Sequence, residues 1–164
     1  MRAVSDTANA PETVALNGIA HIQLTVSDVE RSAEFYRPLL AFFEMKPIID
    51  APGLYFYAIG SRTGIAISPA DEDLKGDGFH QRRPGLHHVC FRARSREDVD
   101  RCFAFVERLG ATIVHGPQED HYAPGYYSIL FEDPDGIRLE VNFVPGKGHL
   151  DSAASGGEAE KPGS

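Results

Sequence analysis

Three side chains in this chain of 164 residues form a set that can bind a metal ion. His21 and His88 each lie in a run of apolar and β-branched residues typical of a strand, and Glu140 lies in a third such run. Two imidazoles and one carboxylate suit divalent iron, manganese, zinc, nickel or cobalt. Such a set leaves coordination positions open for substrate, water or dioxygen. His21, His88 and Glu140 are therefore the predicted metal ligands.

A simpler interpretation exists for each of these residues taken singly. A lone His on a strand is more often a surface or hydrogen-bonded residue than a ligand, and a Glu on an alternating strand is usually solvated. Alternation with apolar neighbours places His21 and Glu140 on the polar faces of their strands. The recurrence of His at matching places in two halves of the chain, with a carboxylate in the last strand, favours the metal site.

The elements that must position these residues occur twice. Aligning AHIQLTV on HHVCFRA pairs His21 with His88, and aligning GIAIS on GIRLE pairs Ser68 with Glu140. Hydrophobic periodicity and caps predict strands at 19–26, 54–59 and 64–69 with a helix at 29–45, then strands at 86–93, 111–115, 126–132 and 136–143 with a helix at 95–109. Each half is predicted to be a βαβββ unit in an α+β fold.

The repeat also divides the chain into regions. Module 1 is predicted at about 17–69, a polar linker rich in Gly and Pro at 70–84, and module 2 at about 85–145. The ends lack periodicity, which predicts a flexible tail at 1–16 and a disordered tail at 146–164. If the two modules pack about a pseudo-twofold axis, His21 and His88 approach each other across a shared cleft, and Glu140 joins them from a neighbouring strand.

Composition narrows the class of protein. Hydrophobic residues make up 42% of the chain and charged residues 24%, as in a folded soluble protein. The formal net charge of −8 and the scattered basic residues argue against a nucleic-acid partner. No apolar run is long enough for a membrane span, no signal peptide is evident, and the two cysteines are not spaced as a metal motif. A cytoplasmic protein without a membrane partner is expected.

Three stretches resemble the vicinal oxygen chelate superfamily, which includes glyoxalase I, bleomycin-resistance proteins and extradiol dioxygenases. They are HIQLTVSDVERSAEFYRPLL, HHVCFRARSREDVDRCFAFVERLGA and YYSILFEDPDGIRLEVNF. The resemblance implies paired modules that form a U-shaped cleft, a divalent metal ion such as Fe²⁺, Mn²⁺, Zn²⁺ or Ni²⁺, and a homodimer. It also implies a ligand role for His21, His88 and Glu140, within one chain or shared between two.

The resemblance is incomplete at other site positions. Glyoxalase I and the epimerases use a fourth ligand, Glu or Gln, and the repeat alignment places Ser68 at that position. Related enzymes carry a Tyr ten residues before the ligand Glu, and this chain has Leu130 there. His121 matches a position where extradiol dioxygenases carry a catalytic His. Tyr122, Tyr126 and Tyr127 crowd the approach to the last hairpin in HYAPGYY, which could form a lid or cleft wall with Gly125 as a flexible point. His121, Tyr122 and Tyr127 are the predicted proton-transfer residues.

The expected function is that of a metal-dependent enzyme. Its small-molecule substrate would chelate the ion through neighbouring oxygens, in a reaction of the dioxygenase, lyase or isomerase type. One alternative is a protein that binds and sequesters a small molecule of the antibiotic type without catalysis, and another is a vestigial site in a purely structural dimer. Metal content distinguishes the enzyme from these alternatives, and the identity of the metal would help to choose among the reactions.

Overall fold

The computed structural model describes residues 13–146, which form two four-stranded sheets with one helix each. The chain completes the first sheet and its helix before it begins the second. The predicted α+β fold of two βαβββ modules is confirmed. Residues 1–12 and 147–164, which include most of both predicted tails, lie outside the described residues.

Module 1 begins with a strand and a helix and continues with three strands. Its elements are β1 (His21–Val26), α1 (Val29–Phe42), β2 (Lys46–Ala51), β3 (Tyr55–Gly60) and β4 (Thr63–Pro69). The sheet order is β1-β4-β3-β2, and only the β1–β4 pair is parallel. Asp28 caps α1, since its side chain accepts a hydrogen bond of 3.0 Å from the backbone N–H of Arg31. Pro38 lies inside the helix without ending it.

Strand β2 and the end of α1 differ from the prediction. The helix was expected to reach Met45, but it ends at Phe42, and a strand that the periodicity does not reveal begins at Lys46. Five of the six residues of β2 are exposed, because it is the edge strand of the sheet. An edge strand that buries almost nothing needs no alternation of apolar and polar residues, so its sequence carries little signal.

Module 2 repeats this arrangement after residues 70–88, which form turns and irregular structure. Its elements are β5 (Val89–Arg92), α2 (Arg96–Leu109), β6 (Thr112–Glu119), β7 (Tyr127–Glu132) and β8 (Arg138–Phe143), in the sheet order β5-β8-β7-β6. Ser95 caps α2, and Gly110 ends it with a φ of 81°, a left-handed conformation that favours glycine.

The modules contact each other through the helix sides of their sheets. The ring of Phe42 in α1 stacks on that of Phe105 in α2 with 4.2 Å between centroids, and one core cluster contains residues of both modules. The hydroxyl of Tyr36 in α1 donates a 2.8 Å hydrogen bond to Asp133 in the β7–β8 turn. The faces turned away from the helices, which carry the candidate ligands, therefore lie outside this junction. No helix in the range 13–146 is long and apolar enough to cross a membrane.

Candidate metal centre

His88 and Glu140 come together on the face of the second sheet that points away from α2. Strand β5 runs parallel to β8, with Cys90 beside Glu140 and Val89 beside Leu139. Val89 and Leu139 are buried in the core, so the alternating residues turn to the other face. His88 immediately precedes β5, and its Nε2 lies 3.1 Å from Oε2 of Glu140. The structure thus unites two of the three predicted ligands.

The spacing of these two atoms fits a shared metal ion. Nitrogen and oxygen ligands lie about 2.1 Å from a divalent ion, so two of them at a right angle are about 3.0 Å apart. The observed separation of 3.1 Å agrees with that value. Burial opposes ionisation of Glu140, but hydrogen bonds from His88 and Tyr126 outweigh it and hold the pKa of this carboxyl below its ordinary value. The carboxylate form is the one that binds a metal.

His87 contacts His88 on the side remote from Glu140. The Nδ1 atoms of the two rings are 2.8 Å apart, and the rings meet edge to face. Both histidines precede β5, which begins at Val89, so strand alternation does not separate their side chains. A hydrogen bond at Nδ1 leaves Nε2 of His88 directed at Glu140, which is how the partners of a ligand histidine orient it.

Tyr126 and Asn142 add to the hydrogen-bonded surroundings of Glu140, which also include the neighbouring Cys90 thiol. The hydroxyl of Tyr126 donates to Oε1 of Glu140, and Nδ2 of Asn142 donates to the Tyr126 oxygen at 2.9 Å. All three residues are buried. Burial and the adjacent carboxylate raise the pKa of Tyr126 well above its ordinary value, so the phenol remains a donor. Tyr126, predicted only to crowd the approach to the last hairpin, thus contacts Glu140 directly.

His21 lies on the first sheet and does not join the pair. It is exposed at the start of β1, beside Gly64 of the parallel strand β4. Within residues 13–146, no three His, Cys, Asp or Glu side chains come together as a group that could hold a metal ion. One chain therefore presents His88 with Glu140 on one sheet and His21 on another.

The first sheet supplies no fourth ligand next to His21. The strand register pairs Gln23 with Ala66, whereas Cys90 pairs with Glu140, so Ala66 and not Ser68 is the counterpart of Glu140. Ser68 instead accepts a 3.0 Å hydrogen bond from Gln23. The alignment of GIAIS with GIRLE misplaced this position because the loops between the paired strands differ in length. A methyl group cannot bind a metal, so the expected lack of a fourth ligand holds at Ala66 as well.

Tyr57 occupies the surface beside His21. Its ring and hydroxyl lie over Gly64, so closely that a Cβ on Gly64 would overlap them. The absent side chain of Gly64 thus makes room for a phenol on the polar face of the first sheet. Tyr57 is absent from the predicted site residues, although a Gly in one strand beside an aromatic strand is a signal for such close packing.

The three predicted proton-transfer residues occupy different places. His121 and Tyr122 are exposed in the loop between β6 and β7, and the Tyr122 ring meets that of Tyr126 edge to face. Tyr127 lies on the helix side of the second sheet, where its hydroxyl donates a 2.7 Å hydrogen bond to Asp100 of α2 and Arg96 covers its ring. Tyr127 is placed to join β7 to α2, while Tyr122 contacts the ring of Tyr126.

The loop that carries these residues is packed rather than open. Ala123 and Tyr126 are buried with Val144 in a small second cluster. Gly125, expected as a flexible point of a lid, has a φ of 71°, and a Cβ there would come within 2.7 Å of Pro145. The loop therefore forms a wall over Glu140 and Asn142.

Residues 18–141 match the Glyoxalase/Bleomycin resistance protein/Dioxygenase superfamily, and the chain belongs to this family. It is 28% identical over 127 residues to the metallothiol transferase FosB of Shouchella clausii, covering 77% of this chain and 80% of that protein. It is 27% identical over 135 residues to 2,2',3-trihydroxybiphenyl dioxygenase of Sphingomonas paucimobilis, covering 80% of this chain but only 43% of the dioxygenase.

Solved structures agree with this family. A glyoxylase/bleomycin resistance protein/dioxygenase domain from Frankia sp. EAN1pec has a TM-score of 0.63 and 27% identity, covering 79% of this chain and 98% of that one. The similar proteins are named for different reactions, thiol transfer and dioxygenation among them. Family membership establishes the fold and a superfamily of enzymes and binding proteins, and it leaves the reaction to be decided by the site.

Proposed function

We propose that this protein is a metal-dependent enzyme whose centre is shared between two copies of the chain. His88 and Glu140 of one subunit and His21 of the other would hold a divalent ion, Fe²⁺, Mn²⁺, Zn²⁺ or Ni²⁺. The observation that carries the proposal is the 3.1 Å separation of His88 Nε2 and Glu140 Oε2, which suits two ligands of one ion.

The need for a second copy follows from the placement of His21. This residue lies on the polar face of the first sheet, and the contacts between modules within one chain use the opposite, helix side. The same polar face leaves Ile49 and Ile59 exposed by 45% and 36%. A second subunit whose module 2 faced this sheet would cover both isoleucines and bring its His88 and Glu140 toward His21. An isologous dimer would create two such centres.

The chemistry proposed for the centre concerns a small substrate with two neighbouring oxygens. A bound divalent ion supplies a Lewis acid that polarises such oxygens. With three protein ligands and alanine at position 66, the chain leaves room for both substrate oxygens at the ion. Tyr122 and His121, in the exposed part of the loop beside Tyr126, are the candidates to move a proton. Dioxygenase, lyase and isomerase reactions all fit this arrangement.

Metal content tests the centre itself. Protein purified without chelator, or reloaded with each of the four ions, is expected to hold one ion per chain. His88→Ala and Glu140→Ala should lose it, whereas Ser68→Ala, on the other sheet, should keep it. If the unmodified protein binds none of these ions in stoichiometric amount, the enzyme proposal fails and sequestration of a small molecule becomes the better hypothesis.

Mixed dimers test whether the centre is shared. A dimer assembled from one His21→Ala chain and one Glu140→Ala chain, each with its own affinity tag, contains one intact centre if ligands come from both chains. It contains none if all three ligands come from one chain. Binding of one ion per mixed dimer, with none in either variant homodimer, is the expected result. A mixed dimer without metal would contradict the shared centre but leave a metal site within one chain tenable.

A further inference from the structure

The two oxygens of Glu140 have different partners. Oε2 lies toward Nε2 of His88, at 3.1 Å, while Oε1 receives the hydrogen bond of the Tyr126 hydroxyl. We propose that Tyr126 is a positioning residue that holds Oε1 and so reserves Oε2 for the metal ion. This inference rests on the proposed metal centre and assigns a role to a residue outside the ligand set.

Asn142 determines the direction of the Tyr126 hydrogen bond. Its side-chain N–H donates to the phenol oxygen at 2.9 Å, so the phenol proton is free to point to Glu140. Asn142 follows Glu140 by two positions in β8, which places both side chains on the same face of the sheet. The result is a chain of hydrogen bonds from Asn142 through Tyr126 to Glu140, built from buried groups. Such a chain is costly to leave partly unsatisfied, which favours a single arrangement.

The backbone around Tyr126 holds the phenol in place. The Tyr126 N–H donates to the carbonyl of Ala123 at 3.0 Å, and the Tyr126 carbonyl accepts from the N–H of Asp120 at 3.2 Å. Gly125 takes the left-handed conformation next to Pro145 that this tight turn requires. The loop therefore presents Tyr126 to Glu140 as part of a closed turn.

Holding one oxygen of Glu140 has a consequence for the centre. A carboxylate with one oxygen engaged by a phenol offers a metal ion one oxygen instead of two. A further coordination position is then free for the second oxygen of a chelating substrate. Leu130, which is directly opposite Glu140 on β7, has no polar group that could hydrogen-bond to the carboxylate. Tyr126 reaches the same carboxylate from the loop.

Removal of the Tyr126 hydroxyl tests the role. Tyr126→Phe should weaken the affinity for Zn²⁺ by about 10-fold to 100-fold, the usual effect of losing a partner of a ligand, measured by competition with a chromophoric chelator. It should also change the visible absorption spectrum of the Co²⁺ protein, because the oxygens available to the ion change. Tyr127→Phe is the matched control, since the Tyr127 hydroxyl donates to Asp100 on the helix side of the sheet, and its affinity should stay within about 2-fold of the unmodified protein.

A measurement without metal separates positioning from folding. In excess chelator, Tyr126→Phe and Glu140→Ala should be non-additive in urea unfolding, because the two groups share a hydrogen bond. Asn142→Leu should weaken Zn²⁺ binding by a smaller factor than Tyr126→Phe. If the unmodified protein binds Zn²⁺ and Tyr126→Phe binds it equally well with the same Co²⁺ spectrum, this inference is overturned and the metal centre stands. If the unmodified protein binds no metal, the centre and this inference fail together.

Discussion

The polar faces of the two sheets have the same topology but different contents. In the second sheet, β8 carries Glu140, which is surrounded by hydrogen-bonding side chains. In the first, β4 carries Gly64, Ala66 and Ser68, and the ring of Tyr57 fills the space above the glycine. The second sheet thus carries a buried carboxylate with hydrogen-bonding partners, whereas the first carries small residues and a phenol beside the exposed His21. In the proposed centre, this asymmetry is the reason that neither module alone supplies all three ligands.

The equivalent hairpin turns of the two modules also differ, because only the turn of module 2 packs against the other module. The β7–β8 turn packs on module 1, where Asp135 accepts hydrogen bonds from Ser27 and Arg31 and Asp133 accepts one from Tyr36. The β3–β4 turn consists of Ser61 and Arg62, both exposed and both with positive φ. One turn therefore joins the modules, and the other remains at the surface.

The largest expected effect concerns the packed turn. Burial raises the pKa of Asp133 to about 6, although hydrogen bonds from Tyr36 and two backbone N–H groups oppose the rise. Since the folded protein binds this proton more tightly than the unfolded chain, Asp133 adds stability below about pH 4 that is lost as the pH rises through 6. The difference from the ordinary value of 3.8 corresponds to about 3 kcal/mol.

Urea unfolding across this pH range measures that contribution. Asp133→Asn should remove most of the decline in unfolding free energy between about pH 4 and pH 6. Arg62→Gln in the equivalent turn of module 1 is the control and should leave the profile unchanged. An unaltered pH profile in Asp133→Asn would show that the two turns differ less than their packing indicates.

A smaller effect on stability is expected at Gly64, on the polar face of the first sheet. Gly64→Ala places a Cβ on the ring of Tyr57 and should destabilise the protein by about 1–3 kcal/mol in urea unfolding. Gly76→Ala, where an added Cβ meets nothing within 4 Å, should change stability by about 0.5 kcal/mol or less. Equal stabilities of the two variants would mean that Tyr57 does not occupy the surface beside His21, and the contrast between the polar faces would weaken.

The smallest effect is expected on the helix side of the second sheet. Tyr127→Phe loses the hydrogen bond to Asp100 and should cost about 0.5–1 kcal/mol of stability without changing Zn²⁺ affinity. The adjacent residues Tyr126 and Tyr127 thus have separate roles. Tyr126 contacts Glu140, and Tyr127 contacts α2. A loss of metal affinity in Tyr127→Phe as large as that in Tyr126→Phe would contradict this division.

Much of the fold follows from local patterns in the sequence. The period of two in β1 and β8, the caps of the helices, and the repetition of the same order predict two βαβββ modules. Strand β2 escapes prediction because an exposed edge strand needs no apolar pattern. The pairing of Ser68 with Glu140 fails for a related reason, since an alignment of similar letters does not include the register that the turns set between strands.

The candidate site divides between what sequence determines and what tertiary structure decides. Alternation along a strand is a local property, so it was enough to place Glu140 on a polar face and His21 on another. The partners of Glu140 depend on how a loop returns over the sheet, which brought in Tyr126, predicted as the first residue of a strand and found just before it. Whether His21 meets His88 depends on which faces the modules bury against each other. Packing between the two modules determines which faces are buried, and within one chain it keeps the two polar faces apart.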